Sequence, residues 1–297
     1  MEIRTITSDL RTTLQNTQHE SAEQEKQSHY STILQWLGGI DQTAKRKMLV
    51  QKREPGTANW FLQGVEYKSW KQGAGSSLWL HGIPGCGKSV IAAVAAEELL
   101  VVSAQDERIA TAYFHFDFSD KVNSTLGMLL RSTLTQLTQQ AAVFPTCLER
   151  LAEAGIKQWK AAQSKSTCRD FIAHPDDQEL VDTLSTIVDS NFGSVYLVID
   201  ALDEASDLES LLHFITNVLT QQSPKLHLLL TSRKDILIDS ALENATTCLV
   251  GINPQTTNAD ISLYVANEVM RQPKLQRWRE DLRQEVQTTL SEAADGM

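Results

Sequence analysis

Short apolar runs recur along the chain and predict the strands of a sheet. Residues 195–199 and 226–230 are the clearest, because each is almost entirely branched or aliphatic. Such runs are typical of parallel strands that are buried on both faces. Shorter segments at 78–80, 109–116 and 247–250 predict three more strands. The pattern therefore indicates five strands spread over most of the chain.

Segments between these strands repeat apolar residues at helical spacing. Stripes over 126–137, 180–188 and 208–219 predict three of the helices. We expect a further helix from Pro145 through Leu151, followed by a loop over 160–176. Strands that alternate with helices predict an α/β fold: a three-layer α/β/α arrangement around a mostly parallel five-stranded sheet.

The two ends of the chain differ in pattern from its middle. The first 30 residues are polar, with a sparse helical stripe of Ile3, Ile6, Leu10 and Leu14. After Pro254 the pattern is helical to the last residues. We expect three parts: a helical N-terminal linker at 1–49, a core at 50–251, and a truncated helical C-terminal segment at 252–297.

A glycine-rich segment joins the first predicted strand to a helix at 90–100. It matches the phosphate-binding pattern G-x-x-x-x-G-K-[ST] at every fixed position. Its residues are Gly82, Ile83, Pro84, Gly85, Cys86, Gly87, Lys88 and Ser89. In such a loop, backbone amides and the start of the helix face phosphate oxygens. The lysine supplies charge to the β- and γ-phosphates, and the serine hydroxyl is a ligand for Mg²⁺. This motif predicts a P-loop NTPase.

Acidic residues follow the buried strand at 195–199. Asp200 ends that strand, where ligands of open α/β sheets bind, and its carboxylate suits Mg²⁺. Asp203 and Glu204 come in the next turn, and one of them is predicted to polarise an attacking water, as a general base or as an orienting group. Asp207 is interpreted as an ordinary helix cap, since Asp is favoured at that position. Asp200 is a different case, because a buried acid requires a cation or a set of donors.

A polar triplet ends the next strand. Thr231, Ser232 and Arg233 follow a leucine-rich run. We expect Arg233 to contact the terminal phosphate; the alternative is a surface arginine without a role.

Composition and charge narrow the classes of function. The formal net charge is −10 and the sequence pI is about 5.2, which opposes a broad surface for nucleic acid or for an anionic membrane. Four cysteines without a CxxC spacing favour a reduced, cytoplasmic setting over a disulfide or zinc framework. We see no secretory signal and no apolar run of membrane-spanning length.

The nucleotide itself is predicted from spacing and from a missing motif. Lys88 and Asp200 are farther apart than is usual in nucleoside kinases and small GTPases. The segment 232–235 also lacks the Asn and, at the required position, the Lys of a guanine-reading N-K-x-D motif. An adenine nucleotide is therefore favoured, with GTP left open as the alternative.

Taken together, the motifs resemble the NACHT-type NTPases of the signal-transducing (STAND) ATPases, which are related to the AAA+ class. The resemblance rests on the loop, on the acidic run 200–204 and on the triplet 231–233. Its flanks are similar to the fungal NOD-like receptor and nephrocystin-like N-terminal branch. These flanks are Arg53, Gly56–Thr57, Trp60–Leu62, Leu78–Gly85, Tyr113–Phe118, Asp260–Ile261 and Tyr264–Val265.

The resemblance implies a switch that binds ATP or ADP with Mg²⁺, hydrolyses ATP slowly and associates with itself. It implies a role in defence or self/non-self signalling, such as innate immunity or fungal heterokaryon incompatibility, with protein partners that it does not identify. It also implies that Arg53, Thr57 and Trp60 border the base. Family members usually continue into a winged helix and a repeat array, so we expect this chain to be a fragment of a larger receptor.

Two other functions stay open at this point. The first is a nucleotide-binding scaffold for protein interaction, with little or no turnover. The second is an AAA+ remodelling ATPase, against which the acidic net charge counts.

Overall fold

The computed structural model describes residues 21, 23–164, 174–221 and 223–293. The predicted stripe from Ile3 to Leu14, and Cys168, lie outside these residues. In the part that is described, no helix has both the length and the apolar character needed to cross a membrane.

Five parallel strands form one sheet in the order β2-β3-β4-β1-β5. They are β1 Ser77–His81, β2 Ile109–His115, β3 Ser194–Asp200, β4 Leu226–Ser232 and β5 Cys248–Gly251. The register pairs His115 with Asp200 and His81 with Ser232. The carboxyl ends of these strands therefore lie at the same end of the sheet, and the three sequence motifs come together there.

Helices cover both faces of the sheet and confirm the predicted α/β fold. The first, α1, spans residues 23–37. The others are α2 Thr43–Gln51, α3 Asn59–Leu62, α4 Val65–Gln72, α5 Lys88–Ser103, α6 Leu126–Gln140, α7 Thr146–Ser164, α8 Asp177–Asn191, α9 Leu208–Gln221, α10 Ile236–Leu242, α11 Pro254–Arg271 and α12 Glu280–Ala293.

The core lies in two layers, one on each face of the sheet. Alternate residues of β3 point to opposite faces, so that Val195 and Leu197 join one cluster whereas Tyr196 and Val198 join the other. The larger cluster also contains residues of α1, α6, α8 and α9. Trp36 of α1 is fully buried in this larger cluster. The N-terminal helix therefore packs directly on the core of the α/β fold.

The prediction of a loop over 160–176 is wrong for residues 160–164, because α7 continues to Ser164. Leu148, Ala152 and Ile156 recur every four residues and are buried, which holds the helix against the core. Gly155 lies beneath Trp36, and a Cβ there would clash with the indole ring. Because the rest of the helix is largely polar, this single buried stripe is difficult to recognise in the sequence.

Strand β2 lies at an edge of the sheet, and three glutamine side chains cover its free backbone groups. Each carboxamide accepts from the N–H and donates to the C=O of one strand residue. The pairs are Gln140 with Thr111, Gln136 with Tyr113, and Gln42 with His115. Exposed edges invite pairing with another strand, so this ladder protects β2.

Candidate functional site

The glycine-rich loop connects β1 to α5 in a conformation that depends on glycine. Gly85 and Gly87 have φ values of 80° and 90°, a conformation that residues with a Cβ strongly disfavour. A Cβ on Gly87 would meet no atom within 4 Å, so the space above this residue is open. Helix α5 begins at Lys88, and its first backbone amides have no partner within the helix. The loop therefore forms an open cradle with donors that suit an anion.

The Lys88 side chain lies over this cradle. Its ammonium group donates to the carbonyl oxygens of Gly82 and Ile83, each at 2.8 Å. The sulfur of buried Cys86 is 3.7 Å away. These contacts place a positive charge at the loop, where the motif requires it.

Asp200 lies fully buried at the end of β3. One carboxylate oxygen accepts from the Thr231 hydroxyl, and the other shares a hydrogen bond with Nδ1 of His115. The Ala201 N–H in turn donates to Thr231 Oγ1 at 3.0 Å. These donors account for the buried carboxylate, so its burial by itself does not demand a cation. The contribution of His115 was missed, although a polar residue at the end of an apolar strand was a visible signal.

The turn after Asp200 aims its two acids in different directions. Ala201 adopts a left-handed conformation with φ 61°, which is costly for a residue with a side chain. Asp203 accepts from the backbone N–H of Arg233 at 2.9 Å and pairs with its Nε at 3.1 Å. Glu204 accepts from the N–H of Phe118 at 3.0 Å through one oxygen. Its other oxygen is 4.0 Å from Arg233 Nη2, outside hydrogen-bonding distance.

A cavity of about 230 Å³ brings the three sequence motifs together. We call it the phosphate cavity. The residues from the sequence analysis that line it are Pro84, Gly85, Gly87, Lys88, Ser89, Asp200, Asp203, Glu204 and Arg233. Gly82, Ile83 and Cys86 belong to the loop but do not line this cavity.

Asp207 is a helix cap, as its sequence position predicted. Its carboxylate accepts from the backbone N–H of Ser210 at 3.1 Å, at the start of α9. Hydrogen bonds from Ser210 lower the pKa of Asp207 below its usual value. It does not line the phosphate cavity.

A second, larger pocket of about 570 Å³ adjoins the phosphate cavity. We call it the base pocket. Both cavities are lined by Gly85, Gly87 and Val90 of the loop and α5. Apolar surface makes up most of the base pocket, which suits a flat ring system.

One wall of the base pocket includes all three residues that the resemblance placed near a base. Arg53 donates from Nε to the Thr57 carbonyl at 2.8 Å. This bond stabilises the turn that contains Thr57. The Thr57 hydroxyl donates to the Glu54 carbonyl at 2.8 Å. The indole N–H of Trp60 is buried and has no acceptor among the described residues.

A second wall belongs to α11 and was not assigned to the site from sequence. Asp260, Ile261, Tyr264 and Val265 line the pocket from this helix. The sequence predicted a helix after Pro254, and all four residues belong to the flanks of the resemblance. The position of this helix against the loop was not predicted, because it depends on how the chain returns after β5.

His81 ends β1 immediately before the loop. Burial lowers the pKa of His81, and the nearby charge of Lys234 adds to the effect. The imidazole is therefore neutral at pH 7 and adds no charge beside the phosphate cavity.

The residues present fit a magnesium–nucleotide complex. The loop amides and Lys88 suit phosphate oxygens, and the oxygens of Ser89 and Asp200 are of the kind that Mg²⁺ prefers. The base pocket offers apolar walls and the unpaired indole N–H of Trp60.

Comparison with solved structures finds similar folds at low identity. The Aeropyrum pernix Orc1 protein in complex with DNA is 13% identical, with 80% of this chain and 57% of that chain covered and a TM-score of 0.38. For Drosophila ORC bound to DNA the values are 16%, 81%, 55% and 0.37. For C. elegans PCH-2 they are 12%, 77%, 45% and 0.34. The chain thus spans about half the length of these proteins.

Comparison with sequence families is more informative. No curated protein sequence matches the chain. The family model described as Nephrocystin 3, N-terminal, matches residues 56–233. This match covers more than half of the chain and runs from the turn beside the base pocket to Arg233. The chain therefore belongs to the nephrocystin 3 N-terminal family and has the fold of a P-loop NTPase.

Proposed function

We propose that this chain is an ATP-binding module that hydrolyses ATP slowly and acts as a switch in a signalling protein. One observation carries the proposal: two cavities of different chemistry adjoin at Gly85 and Gly87. The phosphate cavity is charged and the base pocket is largely apolar, in the order in which a nucleotide presents its phosphates and its base.

In this proposal each residue acts through its observed position. The loop amides and Lys88 bind the phosphates, while Ser89 and Asp200 hold Mg²⁺. The ion, when bound, neutralises charge on the phosphate oxygens. His115 and Thr231 orient the Asp200 carboxylate through their hydrogen bonds.

Of the two acids in the turn, Glu204 is the better candidate to orient a water molecule. Both oxygens of Asp203 contact Arg233, whereas one oxygen of Glu204 makes no hydrogen bond to a described residue. Asp203 then acts by positioning Arg233 at the phosphate cavity, where the guanidinium can respond to a terminal phosphate.

The finer assignment is a NACHT module of the STAND class, from a cytoplasmic NOD-like receptor that associates with itself. The order of the three motifs along the chain supports it, as does the base pocket between the loop, the turn at 54–58 and α11. In such a switch the bound nucleotide selects a conformation, and it can do so only if it binds the two conformations with different affinity.

Calorimetric titration of the chain tests the binding step. We expect ATP with Mg²⁺ to bind more tightly than GTP, and EDTA to weaken ATP binding because the ion would neutralise charge on the phosphate oxygens. Absence of binding by any nucleoside triphosphate at millimolar concentration would contradict the proposal.

A catalytically weak scaffold is the second candidate. It is favoured by the observation that Asp203 and Glu204 both already contact protein groups. Phosphate release from purified protein separates the two functions. Turnover that stops in Glu204→Gln supports the hydrolysing switch, and the absence of turnover in the unsubstituted chain supports the scaffold.

A further inference from the structure

The two walls of the base pocket come from distant parts of the chain and are joined by hydrogen bonds. The turn at 54–58 forms one wall, and α11 forms the other. The backbone N–H of Ala58 donates to Asp260 of α11 at 2.7 Å. Ala58 makes this bond from a left-handed conformation, with φ 61°. The bond compensates for part of the cost of that backbone geometry.

Glu54 makes the strongest connection between the walls. It is only 7% exposed, and its carboxylate accepts from Asn267 at 2.8 Å and from Arg271 at 2.9 and 3.0 Å. Bonds from a guanidinium to a carboxylate are stronger than neutral ones. A carboxylate this buried is costly without such partners. Glu54 thus ties the turn to the last helical turns of α11.

The residues of α11 that face the turn share one stripe of the helix with a pocket residue. Asp260, Tyr264, Asn267 and Arg271 are spaced by three or four positions, so they lie on the same face. Bonds to the first, third and fourth therefore fix the rotation of the helix about its axis. That rotation decides whether Tyr264 faces the base pocket.

The turn also packs closely against a side chain of α11. Gly56 has φ 93°, and a Cβ on this residue would lie 2.9 Å from Leu263 of α11. The turn and the helix are therefore in direct contact beside the bonds of Glu54.

We infer that Glu54 and Arg271 form a latch that holds α11 against the base pocket and so controls how tightly a nucleotide is retained. This inference rests on the proposed function. Neither latch residue lines the phosphate cavity, and both lie outside the segment that matches the family. Glu54 lines the base pocket, whereas Arg271 does not. Arg271 therefore acts as a positioning residue: when its bond to Glu54 is broken, α11 has to return to the turn before the base is enclosed. Apparent affinity falls in proportion to the closed fraction.

Calorimetry with two ligands tests the latch: ATP with Mg²⁺, which extends into both cavities, and inorganic tripolyphosphate with Mg²⁺, which reaches the phosphate cavity alone. The variants are Glu54→Gln, Arg271→Gln and their combination. Arg271 is 58% exposed, so its substitution leaves no cavity in the core, and Asn267 still donates to the Glu54 carboxylate in that variant. Arg279→Gln, which breaks an exposed pair with Asp281, is the matched control.

We expect each latch variant to lose about tenfold in ATP affinity, as expected for one charge-assisted interaction, while tripolyphosphate affinity stays unchanged. The double variant should lose no more than the larger single loss, because both residues belong to one interaction. Unchanged ATP affinity in Arg271→Gln would overturn the latch, as would an equal loss for both ligands. If the unsubstituted chain binds ATP no more tightly than tripolyphosphate, that result contradicts both the assignment of the base pocket and the latch. If it binds neither ligand, the proposed function itself fails.

Discussion

The two halves of the candidate site are held together in different ways. In the phosphate cavity, parallel pairing of neighbouring strands brings Asp200 beside His115 and next to Thr231. In the base pocket, the walls share no strand, and side-chain bonds of Glu54 and Asp260 join them. A backbone ladder resists separation along its whole length, whereas a few side-chain bonds can open locally. The comparison predicts a stable phosphate half and a base half that opens more easily.

The largest expected effect belongs to the phosphate half. Lys88→Ala removes the cation at the loop, and loss of two charge-assisted interactions lowers ATP affinity on the order of 1000-fold. Tripolyphosphate affinity should fall equally, because it uses the same cavity. Calorimetry measures both, with Lys26→Ala, a substitution of an exposed residue of α1, as the control. A loss confined to ATP would break the comparison.

The next effect separates turnover from binding. Glu204→Gln keeps the shape of the side chain but removes its basicity, so phosphate release should fall about 100-fold. ATP affinity should stay within twofold of the unsubstituted chain, about 0.4 kcal/mol. A phosphate-release assay and calorimetry give the two values, with Glu209→Gln on α9 as the control. Normal turnover in Glu204→Gln would shift the role to Asp203.

A smaller effect is expected in the base half. Tyr264→Ala removes an aromatic ring from the base pocket, and base stacking near the lower end of its range, about 1.4 kcal/mol, corresponds to roughly a tenfold loss of ATP affinity. Tripolyphosphate affinity should not change. Trp278→Ala, an exposed aromatic residue outside the pocket, is the control. Equal affinities in the two variants would remove Tyr264 from the site.

The smallest effect on the site is expected at the edge of the sheet. Gln136→Leu leaves the N–H and C=O of Tyr113 without their partner, so the free energy of unfolding should fall by about 1–3 kcal/mol. ATP affinity should stay unchanged, which would show that stability and binding are separable here. Urea denaturation gives the stability, and exposed Gln139→Leu is the matched control. The same midpoint in both variants would argue against the glutamine ladder.

Much of the phosphate half could be predicted because its signals are local. The loop pattern at 82–89 specifies its own backbone geometry through glycine, as Gly85 and Gly87 show. Asp200 follows an apolar run, so its place at the end of a buried strand was evident. The partner of Asp200 was harder to find, because His115 reaches it only through the register of β2 with β3.

Other features depended on contacts that no local pattern reports. The end of α7 was placed too early, since one buried stripe decides its length. The latch was also missed, because Glu54 looks like an ordinary turn residue until Arg271 lies against it.

The sequence by itself determined the fold class, the phosphate loop and the acid-ended strand, because apolar periodicity and glycine geometry act over a few residues. Only the tertiary structure decided which segments enclose the base pocket, how Asp203 and Glu204 divide their contacts, and what holds α11 in place. Those features arise from pairs such as Glu54 and Arg271, whose separation along the chain carries no information about their contact.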